Sequence, residues 1–445
     1  MTAETIYALS SGSGRAGVAV IRISGPQTRT ALERLIGKVP PARHAVHAGI
    51  RGVEQGDLID RGLVLFFPAP ASFTGEDVAE LQVHGSPAVV ARVLADLSHI
   101  SGCKLADPGA FTERAFLNGK LDLTEVEGLG DLLAAETERQ RQDAVAQSTG
   151  LLRRRTEAWR ADLVRALALI EAVLDFSDEA DVTEGPIAEA NAIAVGLKGE
   201  LDAALSDLAR AETVRSGLTI VLSGPPNVGK SSLLNRLAAR DVAIVTEKAG
   251  TTRDLLEVPL DLGGMKVTLV DSAGLRETDD PIEREGVLRA RRAAETADLI
   301  LRLTEGPITD GGYDTGGATP IWHIATKSDL YLDPDDPMHA DGGHPRHRVS
   351  AKTGDGIDDL ITDLVDWACE HAGSIELPLV TRRRQYDWIA DAAAALTSFT
   401  AHPTEQLELK AEDLRRAATA LARLTGLIDP EDVLDSLFAG FCIGK

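Results

Sequence analysis

The sequence predicts a multidomain α/β protein: an N-terminal α+β domain, a discontinuous all-α helical domain, and a doubly wound α/β domain inserted into the helical one. Strand-like segments alternate with glycine-proline turns up to about residue 118. Strong helix formers run from Leu121 to Asp175, and an alanine-rich helical pattern resumes after Pro378. From about Gly217 to about Gly373, strands alternate with helices. We therefore expect domains at 1–118, 119–215, 216–373 and 374–445, of which the second and fourth form one helical domain.

Local patterns predict the elements of the N-terminal domain. One helix is expected around Pro87–His99, where apolar residues recur at helical spacing. The expected strands are apolar segments bounded by turn residues, namely Thr5–Leu9, Val18–Ile23, Leu63–Phe67 and Glu80–Val83.

Two patterns define the start of the helical domain and one of its buried faces. Thr124-x-x-Glu127 has the form of a capping box, which marks the first turn of a helix. Five apolar residues further on recur every three or four positions and predict the buried stripe of one helix. They are Ile193, Leu197, Leu201, Leu205 and Leu208.

The most informative stretch of the inserted domain is the buried strand Leu218–Leu222, which runs into a Gly-x-x-x-x-Gly-Lys-Ser loop and then a helix. Gly224 and Gly229 let the backbone curl around an anion with its N–H groups directed at phosphates. Lys230 adds a positive charge near the β- and γ-phosphates, and the Ser231 hydroxyl is placed to bind Mg²⁺. A chance glycine loop lacks this strand-loop-helix context. The stretch therefore predicts binding of a nucleoside triphosphate.

Three further segments at predicted strand ends select the nucleotide. Asp271 ends a buried strand and can hold Mg²⁺ through water, while Gly274 can sense the γ-phosphate. Asp329 can accept hydrogen bonds from N1–H and the exocyclic amine of guanine, a donor pair that adenine lacks. Ser350-Ala-Lys352 can offer a backbone N–H to guanine O6. These groups lie at the carboxyl ends of strands, where doubly wound sheets bind ligands, and they predict a phosphate-loop (Ras-like) GTPase domain.

The composition and charge of the chain argue against several other classes of protein. A net charge of −23 argues against a generic nucleic-acid binder, so any RNA contact requires local basic clusters. Such clusters occur at Arg153–Arg155, Arg382–Arg384 and Arg415–Arg416, although a solvated helix face or end is the favoured explanation of each one taken singly. Three scattered cysteines indicate neither a disulfide framework nor a zinc site. No segment has the pattern of a signal peptide or a membrane span, so we expect a cytoplasmic protein.

Motifs in every part of the chain carry a resemblance to one family. In the predicted GTPase domain they are Asn227, Val245–Asp254 and Asp271–Glu277. Outside it they are Val20–Gly25, Phe73–Leu81, Pro108–Leu123 and Phe441–Lys445. With these segments the chain resembles the MnmE (TrmE) family of tRNA modification GTPases, which belongs to the potassium-using relatives of the translation-factor GTPases. The resemblance covers essentially the full length.

The resemblance implies roles for the residues around the nucleotide. Glu283 is expected to orient the attacking water, with Glu277 and Glu285 as nearby alternatives. Thr252 joins Ser231 as a Mg²⁺ ligand. Two GTPase domains are expected to meet face to face and enclose a K⁺ ion, for which this chain supplies Asn227, Thr246, Lys248 and Thr251. The implied GTP-binding residues are Asn227, Val228, Gly229, Lys230, Ser231, Ser232, Thr246, Glu247, Lys248, Ala249, Gly250, Thr251, Thr252, Asp271, Ser272, Ala273, Gly274, Thr326, Lys327, Ser328, Asp329, Ser350, Ala351 and Lys352.

One position departs from the family pattern. Thr326 stands where the Asn-Lys-x-Asp motif has asparagine, whose amide donates and accepts at once. Threonine offers a single, shorter hydroxyl. We expect this change to lower the affinity for guanine nucleotides and to leave the choice of guanine to Asp329.

The resemblance also implies a reduced-folate site in the N-terminal folate-binding and dimerisation domain, for 5-formyl- or methylene-tetrahydrofolate. The matching positions are Arg22, Glu80 and Lys120, joined by Lys445 from the chain end. A carboxylate can accept hydrogen bonds from the paired N–H groups of a pterin, and cations can pair with the negatively charged glutamate tail. Without the resemblance, Glu80 and Lys120 are ordinary surface charges. Cys442 is a candidate nucleophile, although a terminal cysteine with no base nearby is more often a bystander.

Together these expectations describe a homodimeric, K⁺-stimulated GTPase that modifies C5 of the wobble uridine of tRNA. The family resemblance implies an FAD-dependent MnmG (GidA)-type partner in an α2β2-like complex and a carboxymethylaminomethyl or aminomethyl product. One alternative is an RNA-binding ribosome-assembly GTPase that acts as a switch. Another is a stand-alone folate-dependent methyltransferase with a regulatory GTPase domain. The acidic composition disfavours the first, and the chain shows no complete catalytic base and donor site for the second.

Overall fold

The computed structural model describes residues 4–175, 184–240, 242–244, 257–271, 297–305, 319–330, 346–373, 377–428, 441 and 444. The chain divides into two compact units, which are described separately. The first consists of Met1–Gly130, Ala146–Asp202 and Asp387–Lys445, and the second of Asp131–Val145 and Ala203–Tyr386. The second unit thus contains the predicted GTPase domain together with short stretches that the sequence assigned to the helical domain.

The N-terminal part of the first unit contains one mixed sheet. Its strands are β1 (Thr5–Leu9), β2 (Ala16–Ser24), β3 (Val46–Arg51), β4 (Leu58–Phe67), β5 (Val78–Gly85) and β6 (Cys103–Leu105). The order across the sheet is β3-β4-β5-β2-β1-β6, and β1 and β6 are its parallel pair. The helices of this part are α1 (Thr28–Ile36), α2 (Pro87–Ser98) and α3 (Ala110–Leu117).

Helices α1 and α2 pack with the sheet around a fully buried core that includes Ile21, Leu32, Leu81 and Leu97. The α+β expectation is confirmed, but the sequence analysis missed β3, β6, α1 and α3. Strand β3 contains glycine and is mostly half-exposed, and β6 has three residues, so neither carries a clear alternation of apolar and polar residues. Helix α1 has nine residues, too few for a convincing helical period.

The helical region continues with α4 (Leu123–Ala134), α5 (Glu138–Ser148), α6 (Leu151–Asp175), α7 (Glu184–Leu205) and α8 (Leu208–Ser216). The capping box at the start of α4 lies two residues earlier than predicted. Asp122 Oδ1 accepts from the Glu125 backbone N–H at 2.8 Å, and Glu125 Oε2 accepts from the Asp122 N–H at 2.8 Å. The prediction of Thr124 and Glu127 was wrong because Thr124 instead donates its hydroxyl to Asp122.

The predicted stripe from Ile193 to Leu208 does not belong to one helix. Helix α7 ends at Leu205, and Asp207 occupies the break before α8. The Asp207 carboxylate accepts from Arg210 at 2.7 Å and from the Leu379 backbone N–H at 2.9 Å. These two contacts fix the break, which a periodicity count cannot detect.

The second unit contains the doubly wound sheet. Its elements are β7 (Leu218–Ser223), α9 (Lys230–Ala238), β8 (Glu257–Leu262), β9 (Met265–Asp271), β10 (Leu299–Glu305), β11 (Ile321–Thr326), β12 (Arg346–Arg348) and α10 (Ile357–Ala372). The strand order is β12-β11-β10-β7-β9-β8, parallel except where β8 pairs with β9. Strand β7 lies between β9 and β10, and this reversal of direction in the strand order opens a ligand crevice at the carboxyl ends. The predicted fold class is confirmed.

The chain returns to helix with α11 (Arg383–Ala401) and α12 (Leu407–Leu424). Helix α12 packs against α6 within the first unit. The buried face of α6 repeats every three and four residues, and Trp159 at its centre donates from Nε1 to Glu200 Oε2 at 2.8 Å. The buried residues of α6 are Leu152, Thr156, Trp159, Leu163, Ala166, Ile170 and Val173. Among the described helices, none combines the length and apolarity needed to cross a membrane.

Candidate functional site

The loop after β7 is held in a conformation that requires glycine. Gly224 has φ +147°, and a Cβ there would lie 2.4 Å from the Leu303 carbonyl oxygen of β10. Gly229 has φ +106° and is the N-cap residue of α9. It has no side chain that could cap the helix. The first N–H groups of α9 therefore have no capping side chain and, with the helix dipole, favour an anion. This part of the structure agrees with a phosphate-binding loop.

One cationic and two oxygen-bearing side chains lie next to this loop. Lys230 is 7% exposed, and its Nζ donates to the carbonyl oxygens of Gly224 and Pro225 at 2.9 and 3.0 Å. Ser231 Oγ donates to Asp271 Oδ2 at 2.8 Å, although the two residues come from different elements. A hydroxyl and a carboxylate in contact are the hard oxygen donors that Mg²⁺ prefers. The donor set therefore fits this ion.

The expected base site lies after β11, at the same edge of the sheet. Ser350 is fully buried, and its Oγ donates to Asp329 Oδ1 at 2.8 Å, which orients that carboxylate. Lys327 adopts φ +56° and pairs through Nζ with Glu305 Oε2 at 2.8 Å. The Ser328 N–H donates to the Val349 carbonyl oxygen at 3.2 Å. A carboxylate acceptor is thus positioned on the sheet edge that also carries the phosphate loop.

In the first unit, two of the expected folate residues form one pair. Arg22 and Glu80 lie directly opposite each other on β2 and β5, and two Arg22 nitrogens contact Glu80 Oε1 at 2.9 and 3.1 Å. The guanidinium also lies 5.5 Å from the Phe73 ring centroid and 5.7 Å from that of Phe111. Within the described residues, Glu80 Oε2 accepts no hydrogen bond. The pair therefore presents a fixed carboxylate beside two aromatic rings.

Lys120 borders the loop that carries Phe73. Its Nζ donates to the Pro70 carbonyl oxygen at 3.1 Å, and its side-chain carbons lie 3.4 Å from where a Gly75 Cβ would be. Arg22 and Lys120 therefore both contact residues 70–75.

The described residues of the terminal segment contact earlier parts of the first unit, to which the segment belongs. Phe441 is 8% exposed and packs against Val126 on α4. Ser10 Oγ donates to the Gly444 carbonyl oxygen at 2.7 Å. A Cβ at Gly444 would lie 2.1 Å from the Leu9 carbonyl oxygen, and the residue has φ +95°, so this position requires glycine. The tail therefore contacts the end of β1, in the part of the chain that also supplies Arg22, Glu80 and Lys120.

Family models match nearly the whole chain. Residues 5–120 match the model described as GTP-binding protein TrmE N-terminus, and residues 123–442 match the MnmE helical domain. The chain belongs to the MnmE family. A Bradyrhizobium relative is 49% identical over 99% of both chains, and one from Azorhizobium caulinodans is 50% identical over 100% of this chain and 99% of the other. Both relatives are named tRNA modification GTPase MnmE.

One solved structure that resembles part of this chain covers less of it than these relatives do. The crystal structure of Aquifex aeolicus Era has 22% sequence identity and covers 40% of this chain and 66% of its own, with a TM-score of 0.25.

Several residues expected from the MnmE resemblance lie outside the described part of the chain. They are Thr246, Glu247, Lys248, Ala249, Gly250, Thr251, Thr252, Ser272, Ala273, Gly274, Glu277, Glu283, Glu285, Cys442 and Lys445.

Most arginines of the three basic clusters pair with acids. In the first cluster, Arg153 contacts Glu125 and Glu157. The other pairs are Arg155 with Glu200, Arg382 with Asp131, Arg415 with Glu171, and Arg416 with Asp413. Arg154 instead donates to the Thr149 carbonyl oxygen, and Arg383 lies over the Tyr386 ring. The simpler interpretation, a solvated helix face or end, agrees with the partial exposure of these paired arginines.

Sequence reasoning missed a buried ion pair beside the Arg22 pair. Arg114 Nη1 contacts Glu76 Oε2 at 2.8 Å, with 7% and 9% of the two side chains exposed. Ser24 Oγ also donates to Glu76 Oε2 at 2.8 Å, and Arg114 donates to the Ser24 carbonyl oxygen at 3.1 Å. Glu76 and Arg114 both lie in segments that carry the MnmE family motifs. This was the sequence signal that could have identified them. They join α3, β2 and the loop that carries Phe73, and so position the rings around Arg22.

We expect Arg114→Met to destabilise the protein by about 3–5 kcal/mol, because it leaves the buried Glu76 carboxylate without its charge partner. Lys104→Met is the matched control, since Lys104 and Glu4 form a solvent-exposed pair at 2.8 Å whose loss should have no measurable effect. Urea unfolding of the full-length variants measures both. Equal unfolding midpoints for the two variants would contradict the structural role of the buried pair.

Proposed function

We propose that this chain is a K⁺-stimulated GTPase that acts with an FAD-dependent partner to modify C5 of the tRNA wobble uridine, with a reduced folate as one-carbon donor. The main observation in its support is that Lys230, the Ser231–Asp271 contact and Asp329 lie at one edge of a doubly wound sheet. The relatives named tRNA modification GTPase MnmE support the choice of substrate.

In this proposal the phosphate loop provides most of the charge stabilisation. The transition state of phosphoryl transfer spreads negative charge over the transferred group, so positioned donors and cations contribute most of the catalysis. The α9 N-terminus and Lys230 supply N–H groups and a cation. Ser231 and Asp271 would hold Mg²⁺, directly and through water, and Thr252 is proposed as a further ligand. Bound there, the ion would neutralise phosphate charge.

Glu283 is proposed to orient the attacking water, and Asn227 to help hold K⁺. Asn227 lies exposed in the phosphate loop at φ +63°, and its side chain makes no hydrogen bond with the described residues. An amide oxygen in such a turn is a suitable ligand for a large monovalent cation. The other proposed contributors are Thr246, Lys248 and Thr251. A second copy of the chain would complete the K⁺ cage when two GTPase domains meet.

The N-terminal part of the chain is proposed to bind 5-formyl- or methylene-tetrahydrofolate. Glu80 Oε2 is available to accept an N–H of the pterin, while the contact with Arg22 fixes the carboxylate in place. Phe73, which is 38% exposed, offers an aromatic face beside it, whereas Phe111 is fully buried and supports the Arg22 guanidinium. Lys120 and Lys445 are proposed to bind the glutamate tail. Cys442 is a candidate nucleophile in the same terminal segment.

The partner proposal completes the chemistry. An FAD-dependent MnmG (GidA)-type protein in an α2β2-like complex would supply the redox step, and nucleotide turnover would drive the conformational cycle. The product would carry a carboxymethylaminomethyl or aminomethyl group.

Mass spectrometry of tRNA wobble nucleosides tests this function. A deletion strain should lack the C5-modified uridines, and the wild-type gene should restore them. An Asp271→Ala gene should fail to restore them because the variant loses its Mg²⁺ contact. Unchanged wobble nucleosides in the deletion strain would favour a ribosome-assembly switch, and loss of a simple C5-methyl group would favour a folate-dependent methyltransferase.

Potassium should stimulate the GTPase activity of the full-length protein. We expect a much higher kcat in KCl than in NaCl at equal ionic strength, because the cation occupies the position of a catalytic charge. Asn227→Ala should remove the difference between the two salts. Asn235→Ala, which changes an exposed asparagine on α9, is the matched control and should retain it. Equal wild-type rates in KCl and NaCl would rule out the cation site.

The terminal segment should be required for folate binding. Deletion of residues 441–445 removes the packing of Phe441 and the contact of Gly444 with Ser10. We expect isothermal titration with 5-formyl-tetrahydrofolate to show no binding to this truncation, while GTP hydrolysis continues. Lys445→Ala separates the cation from the packing and should weaken folate binding on its own. Unchanged folate affinity in the truncation would remove the tail from the site.

A further inference from the structure

Thr326 connects three elements of the second unit at the edge of the sheet. It is the last residue of β11 and is 4% exposed. Its Oγ1 lies 2.5 Å from the Val228 carbonyl oxygen in the phosphate loop and 3.0 Å from the Thr304 carbonyl oxygen on β10. Val228 is itself 1% exposed and belongs to the core of this unit. The hydroxyl therefore joins the phosphate loop to the ends of two neighbouring strands.

The two acceptors use the whole donor capacity of this side chain. A threonine hydroxyl carries one proton, and both carbonyl oxygens can only accept it. The N7 and O6 atoms on the outer edge of guanine are also acceptors, so only a further proton could bind them. Thr326 has none. An asparagine amide at this position would carry two protons, one for the loop carbonyl and one for a base atom.

We propose that Thr326 positions the phosphate loop and makes no hydrogen bond to the base. This chain therefore binds guanine nucleotides without recognising N7. The inference rests on the proposed guanine-nucleotide site. Base recognition then depends on Asp329, whose Oδ1 is oriented by Ser350. Thr326 is accordingly a positioning residue, and its substitution affects nucleotides through the loop, whichever base they carry.

Two nucleotides that differ only at N7 separate positioning from recognition. In 7-deaza-GDP a C–H group replaces N7, while the diphosphate and the edge that faces Asp329 are unchanged. Binding of GDP and of 7-deaza-GDP is measured with Mg²⁺ on the full-length wild-type protein, Thr326→Val and Thr326→Asn. Valine keeps the shape of threonine and removes the hydroxyl. Thermal unfolding shows whether each variant is folded.

The wild-type protein should bind GDP and 7-deaza-GDP with the same Kd. Thr326→Val should weaken both by the same factor, about fivefold, because it removes the single hydroxyl proton that holds the phosphate loop to the ends of β10 and β11. Thr326→Asn should bind GDP about fivefold more tightly than 7-deaza-GDP, since its second proton can bind N7.

A wild-type protein that prefers GDP over 7-deaza-GDP would overturn the inference, as would a Thr326→Val variant that loses affinity for GDP alone. If Thr326→Val does not fold, the wild-type comparison still decides, because it needs no variant. Failure of the wild-type protein to bind either nucleotide would contradict the proposed function instead.

Discussion

The close approach of the phosphate loop to β10 determines the geometry of the whole nucleotide site. Gly224 lies so near the Leu303 carbonyl oxygen that a side chain would collide with it, and its φ of +147° is rarely adopted by other residues. The hydroxyl of Thr326 holds the same loop from β11. Because the loop is fixed in this way, α9 begins with its N–H groups, Lys230 and Ser231 at the carboxyl edge of the sheet.

A second buried constraint acts in the first unit. The Arg114–Glu76 pair is linked through Ser24 to β2, the strand of Arg22, and Glu76 lies in the same loop as Phe73, which contacts Arg22. Charges that are buried and paired are costly to separate, so this arrangement keeps the loop in one position. In both units, buried contacts therefore hold polar side chains of the candidate site in place.

Sequence patterns predicted those parts of the structure in which local and tertiary preferences agree. Strand β7 is an apolar run that ends in a glycine loop, and it could be predicted because burial on both faces leaves this signature. The break at Asp207 and the capping role of Asp122 depend on specific hydrogen bonds, which periodicity does not report. Likewise, the threonine at position 326 predicted a weaker contact with the base. Its hydrogen bond to the Val228 carbonyl oxygen could not be predicted from the sequence, because it depends on how the phosphate loop and β11 meet in the fold.

The central claim is that the sheet edge carrying Asp329 selects guanine through one carboxylate. Binding of GTP, ATP and xanthosine triphosphate to the full-length wild-type protein and to Asp329→Asn tests it most directly. The account predicts that the wild-type protein binds GTP alone. The variant should bind xanthosine triphosphate instead, because an amide can donate to the 2-oxo group that replaces the guanine amine. Comparable wild-type affinity for ATP, or unchanged GTP binding by the variant, would contradict the account.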